Sequence, residues 1–125
     1  MANLTTTFDN KILDHINLVA SYTPTTPLKL ALVTVAGSAG SAGTEVTGGS
    51  YARQTITFAS AASGSAANSN TITYAAMPAC TVVGVEIWDN AGTPVRLWFG
   101  TITSRTFLAG DSFSFAASSV TVSLT

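Results

Sequence analysis

From Leu28 onward the larger apolar residues of this chain recur at every second position within short runs, and between Arg53 and Glu86 no charged residue interrupts the pattern. A two-residue period places side chains alternately on opposite faces of an extended backbone, so these runs predict strands and not helices. They read as Leu28 to Val35, with Leu28, Leu30 and Leu32 on one face; Arg53 to Phe58; Thr71 to Tyr74; Val82 to Asp89; Val95 to Thr101; a weaker Arg105 to Leu108; Ser112 to Phe115; and Val120 to Leu124. Clusters of Gly, Ser, Asn and Asp punctuate them. Seven or eight short strands in roughly a hundred residues is the density of an antiparallel β-sandwich or small barrel.

Ahead of the strands the period is different. Phe8, Ile12, Ile16 and Val19 recur at three- and four-residue spacing over residues 5 to 19, with Leu13 widening the stripe, which predicts one N-terminal helix. Thr6 followed by Asp9 three residues later reads as its capping box. The run from Tyr22 to Pro27 ends it, because two prolines force extended geometry on the residues before them. The expected organisation is therefore a helical arm, residues 1–21, and a β-sandwich domain, residues 22–125. Two low-complexity stretches, Ala36 to Gly49 and Ala59 to Asn70, read as exposed loops, since small polar side chains bury too little apolar area to offset the entropy of ordering them.

The most legible local unit is the hairpin Val82 to Asp89, turn Asn90 to Pro94, Val95 to Thr101. Pairing Asp89 with Val95 sets Ile87 opposite Leu97 and Val85 opposite Phe99, which gathers the apolar residues on one face. The other face then carries Glu86, Trp88, Arg96 and Trp98. Trp88 lies opposite Arg96 and Glu86 opposite Trp98, so the guanidinium is placed to stack on an indole and reach diagonally for the carboxylate. Three covers suit that face: the N-terminal helix, with Phe8, Ile12 and Ile16 over the indoles; a neighbouring subunit, since two Trp and an Arg resemble an interface hot spot; or a stacked sugar.

The composition argues against chemistry. Only 9% of the 125 residues are charged, and 46% are hydrophobic. Five Lys and Arg against six Asp and Glu provide no field for nucleic acid or an anionic membrane, and so small a net charge favours self-association. Cys80 is the single cysteine, so no intramolecular disulfide is possible, and its flanks suggest a buried small hydrophobe. His15, beside Asp14 and Lys11, reads as a helix-edge residue. No nucleophile elbow, Walker loop, zinc motif or calcium loop is present, so no catalytic residue, metal or cofactor is expected. Asp9, Lys11 and Asp14 occupy the place of a signal-peptide apolar stretch, so secretion by that route is not expected. No uncharged run reaches the length of a membrane span.

Taken together, KILDHI (Lys11 to Ile16), YTPTTPLKLALVT (Tyr22 to Thr34), GTEVTGGSYARQTITF (Gly43 to Phe58), GVEIWDNAGTPVRLWFG (Gly84 to Gly100) and AGDSFSFAASSVTVSL (Ala109 to Leu124) resemble a family of small virion proteins of tailed bacteriophages, especially those of actinobacteria, labelled tail fibre or minor capsid proteins. The resemblance implies a non-enzymatic virion component assembled in the host cytoplasm. It is compatible with a capsid decoration protein, bound to the major capsid protein as a trimer, or with a tail fibre component that binds host glycans. The absence of coiled-coil heptads and the small size lead to the decoration protein as the expected role.

Overall fold

The computed structural model describes residues 2–124. Ten strands and one helix follow in the order β1 (Asn3–Leu4), α1 (Thr6–Ile16), β2 (Lys29–Val35), β3 (Thr44–Glu45), β4 (Gln54–Thr55), β5 (Ser65–Ala67), β6 (Ile72–Tyr74), β7 (Cys80–Trp88), β8 (Arg96–Phe107), β9 (Phe113–Phe115) and β10 (Thr121–Ser123). One six-stranded sheet runs β1-β8-β7-β2-β3, with β4 also paired to β2. Two antiparallel pairs, β5 with β10 and β6 with β9, lie across the core from it. Leu30, Leu32, Val85 and Ile87 of the large sheet meet Ile72, Tyr74, Phe113 and Val122 of the small pairs, so the mainly β sandwich expected from the two-residue period is the fold observed.

β2 is buried on both faces: Leu30, Ala31, Leu32 and Val33 are all inaccessible. The single apolar face expected for it was too modest, because a central strand here is covered on its far side as well. The Tyr74 hydroxyl donates to the Leu30 carbonyl at 2.6 Å, and the Tyr74 ring stacks on Tyr51. Cys80 packs partly buried against the core, and burial pushes its thiol pKa up.

The helix is shorter than the periodicity suggested. Its cap is Thr5 and not Thr6: Thr5 is extended, and its hydroxyl accepts from the Phe8 N–H at 3.2 Å while donating to the Arg96 carbonyl at 2.7 Å. Leu4 pairs with Trp98 in the sheet, and the Thr5 N–H donates to the Leu97 carbonyl at 3.0 Å. Thr5 is thus held as the last extended residue, and the helix begins after it. The helix ends at Ile16, well before the prolines, in a two-bond turn where the Leu18 N–H donates to His15 O and the Val19 N–H to Asp14 O. Leu18 takes the left-handed position of that turn, φ 62°, where glycine is usual. A short strand therefore precedes the helix, and Ala2 lies parallel to Val122, its N–H donating to Thr121 O at 2.9 Å.

Candidate functional site

The hairpin of β7 and β8 forms as expected at its turn. Asp89 N donates to Val95 O at 3.0 Å, and Trp88 lies opposite Arg96. Immediately beyond, the register shifts: Ile87 pairs with Trp98, Glu86 with Phe99 and Val85 with Gly100. The expected pairs Ile87 with Leu97, Val85 with Phe99 and Glu86 with Trp98 are therefore corrected by one residue, because a β-bulge beside Leu97 inserts an extra residue into β8. A one-residue slip changes the face on which a side chain emerges. Trp98 stands with Ile87 on the core-facing side and Trp88 stands on the opposite face, so the two indoles share no platform.

The Glu86 face is closed from within the chain, but not by the helix. Arg96 Nη1 donates to Glu86 Oε1 at 3.1 Å, and its Nη2 donates to the carbonyls of Ser38 and Ala39 at 2.7 and 3.3 Å. The Gly43 N–H donates to the same Glu86 oxygen at 2.8 Å. Glu86 is 2% and Arg96 9% exposed, so the 36–43 segment is a cap over a buried ion pair although its own residues are largely solvent-facing. Its composition is what permits the approach: a β-carbon on Gly37 would sit 2.4 Å from Glu86 Oε1, and one on Gly43 2.3 Å from the Val35 carbonyl. The missed signal was that a charged pair on an inner strand demands polar cover, and a chain of small residues can supply it with backbone carbonyls.

The cation expected over Trp88 is also a different one. Arg53 lies 4.4 Å from the indole centroid and pairs bidentately with Glu45, whose hydrogen bonds raise the guanidinium pKa further. Arg96 sits instead over Phe99. Arg53 takes one face of the Trp88 ring, and the indole N–H is buried.

Phe8 meets Trp98 edge-on at 6.0 Å and Tyr22 likewise. Ile12 is half-buried, but Ile16 is 67% exposed, so the helix covers Trp98 only through Phe8. Beside it runs an apolar groove of about 270 Å³ lined by Phe8, Ile12, Ile16, Tyr22, Pro24 and Leu124, with Lys11 and His15 at its rim. A second groove of about 210 Å³ continues past Leu124 to Trp98 and Ala66.

The segment between helix and β2 is clasped by Asp89. Its carboxylate accepts from Val95 N at 2.8 Å, Thr25 N at 3.1 Å, Ala91 N at 3.4 Å and the Tyr22 hydroxyl at 3.2 Å. Burial pushes the Asp89 carboxyl up, but the three backbone N–H groups and the Tyr22 hydroxyl outweigh it and hold the pKa below its ordinary value. The Tyr22 hydroxyl is pushed up to about 12, by burial and by the adjacent carboxylate. His15 accepts from the Tyr22 N–H through Nδ1 at 3.3 Å, a linking role at the helix edge. Among the described residues no three His, Cys, Asp or Glu side chains gather as metal ligands, and no helix is long and apolar enough to cross a membrane.

What this geometry offers is covered faces, a clasped turn and an apolar groove. The model of one protein family, described as "Podophage GP4 fiber I protein gp80", matches residues 3–123. The chain belongs to that family. Membership in the podophage gp80 fibre family makes it a bacteriophage virion component of fibre type, and the whole sandwich, from β1 to β10, lies inside the matched span. No curated protein matches the chain. The gp80 description names a fibre, so of the two virion roles expected from the sequence it favours the tail fibre over the capsid decoration protein.

Proposed function

We propose that this chain is a structural module of a podophage tail fibre, working by shape and buried contact area with neighbouring virion proteins, without making or breaking bonds. The observation that carries this reading is the fibre family match across 121 consecutive residues, 3 through 123. The architecture agrees with it. Ionisable side chains that are buried here are engaged in structure, Arg96 with Glu86 and Asp89 with the turn, and are not gathered in a cleft. The low charge and wide apolar exposure of the helix suit a component that functions in an assembly.

Antibody labelling of intact particles, read by electron microscopy with copy number from quantitative mass spectrometry, tests the reading. Label on the tail fibres at a few copies per fibre supports it. Label spread over the head at hundreds of copies would restore the capsid decoration role and refute the fibre one.

A further inference from the structure

Two apolar grooves adjoin on the surface beside α1. Phe8, Ile12, Ile16 and Tyr22 wall the first, of about 270 Å³, and Leu124 borders both it and the second, of about 210 Å³, which Trp98 lines. Phe8 meets the Trp98 ring edge-on at 6.0 Å, so the grooves form one apolar track. Ile16 is 67% and Leu124 54% exposed, and the chain itself leaves these walls to solvent.

The polar groups bordering the second groove decide what the track can hold, because they are already engaged. Ser65 Oγ donates to the Val122 carbonyl at 3.2 Å, the Leu124 N–H donates to the Gly64 carbonyl at 2.9 Å, and β5 pairs with β10. A sugar or an extended peptide laid there would lose water from its own hydroxyls or amides without gaining partners. An alkyl chain has no such groups to satisfy.

Charge is confined to the first groove, and it has one sign. Lys11 and His15, four residues apart on one helix, line that groove, and among the described residues no carboxylate does. The Lys11 ammonium lies 4.6 Å from the Tyr22 ring centroid, which folds its side chain over the groove edge. Because the Tyr22 N–H donates to His15 Nδ1 at 3.3 Å, the hydrogen of the neutral imidazole sits on Nε2 and is left to be donated. The Asp89 carboxylate, on the hydroxyl of Tyr22, is held by the turn. Two donors beside an apolar track match the two oxygens of a carboxylate that carries an alkyl tail.

We propose that this track binds a single-chain fatty acid, its carboxylate held by Lys11 and His15 and its tail running past Leu124 to Trp98. Only the biological setting rests on the fibre reading, since the site is argued from the chain alone.

The test uses undecanoate brominated at its terminal carbon, added to the purified full chain below its micelle concentration. Bromine brought beside Trp98 quenches tryptophan fluorescence saturably. Trp98→Phe removes that quenching and Trp88→Phe retains it, because Trp88 lies away from the track, under Arg53. Lys11→Met weakens binding of the acid about three- to fivefold, the scale of a solvent-exposed charge pair, and leaves binding of an uncharged alkyl glucoside of equal chain length unchanged. An absence of saturable quenching overturns the proposal and leaves the track to a neighbouring protein. Quenching that survives Trp98→Phe overturns it too, as does a glucoside that binds as tightly as the acid. Label on the phage head would refute the fibre role and leave fatty-acid binding intact, whereas label on the fibres with no quenching refutes this proposal alone.

Discussion

Replacing Glu86 by Gln keeps the shape of the side chain and one acceptor oxygen, and removes only the charge. In the wild-type structure that charge is shared by Arg96 Nη1 at 3.1 Å and Gly43 N at 2.8 Å, in a setting where Glu86 is 2% and Arg96 9% exposed. With Gln in place the guanidinium remains buried without a counter-charge, facing only neutral oxygens: the retained amide oxygen and the carbonyls of Ser38 and Ala39. Breaking a buried pair from one side costs about 3 to 5 kcal/mol, and the retained amide oxygen puts Glu86→Gln near the lower end, about 3 kcal/mol. That is a large share of the roughly 5 to 15 kcal/mol that stabilises a typical domain. At about 3 to 5 °C per kcal/mol for a chain of this size, the thermal midpoint falls by roughly 10 °C. Urea unfolding followed by tryptophan fluorescence measures it directly, with a lower midpoint and an unchanged slope. A double-mutant cycle with Arg96→Met then shows strong non-additivity, because each change alone orphans the other member of the pair. A loss below about 1 kcal/mol, the value of a solvent-exposed pair, would refute the inference that the 36–43 loop seals this pair from water.

Three further outcomes follow from particular contacts. Gly37→Ala drives a β-carbon against Glu86 Oε1 and the Gly43 backbone and destabilises by about 1 to 3 kcal/mol in the same urea assay, whereas Gly40→Ala, with nothing within 4 Å, changes stability little. Tyr74→Phe leaves the Leu30 carbonyl without its buried donor at 2.6 Å and costs about 1 to 2 kcal/mol by thermal unfolding. Asp89 has a depressed folded pKa, so its contribution is fully present above the ordinary aspartate value and is lost as pH falls through the folded one. Stability measured from about pH 5 down to pH 2 therefore declines less steeply in Asp89→Asn than in wild type, from a lower starting value.

Much of the scaffold was legible because the long strands carry a period. β2, β7 and β8 contain the alternating Val, Ile and Leu that mark a pleated, buried strand, and the Asp89–Val95 turn announced their pairing. β1, β3 and β5 did not announce themselves. Asn3–Leu4 and Thr44–Glu45 are two residues long and Ser65–Ala67 three, so their pairing is a backbone event without a side-chain period. The bulge at Leu97 was equally silent, since no glycine marks it and Leu97 is buried either way. That single residue decides the candidate site: it sends Trp98 to the core side and leaves Trp88 with Arg53. The weak strand at Arg105 proved continuous with β8, because β8 accommodates extra residues opposite Val83 and then resumes pairing at Arg105 with Val82. The loop over Glu86 hides its role in the sequence for a different reason. Low complexity alone reads as freedom, whereas here it supplies carbonyls at close range.

Ala2 runs beside Val122 in the same direction, tied by its N–H to the Thr121 carbonyl. Two parallel neighbours whose chains leave at opposite ends are loaded in shear when those ends are drawn apart. A tug between residues 2 and 122 strains the Ala2 link together with the rungs joining β1 to β8 and β10 to β5, and does not peel them away one at a time. That arrangement sets where a pull on the two ends of the described chain is borne: across the seam between the first and last strands.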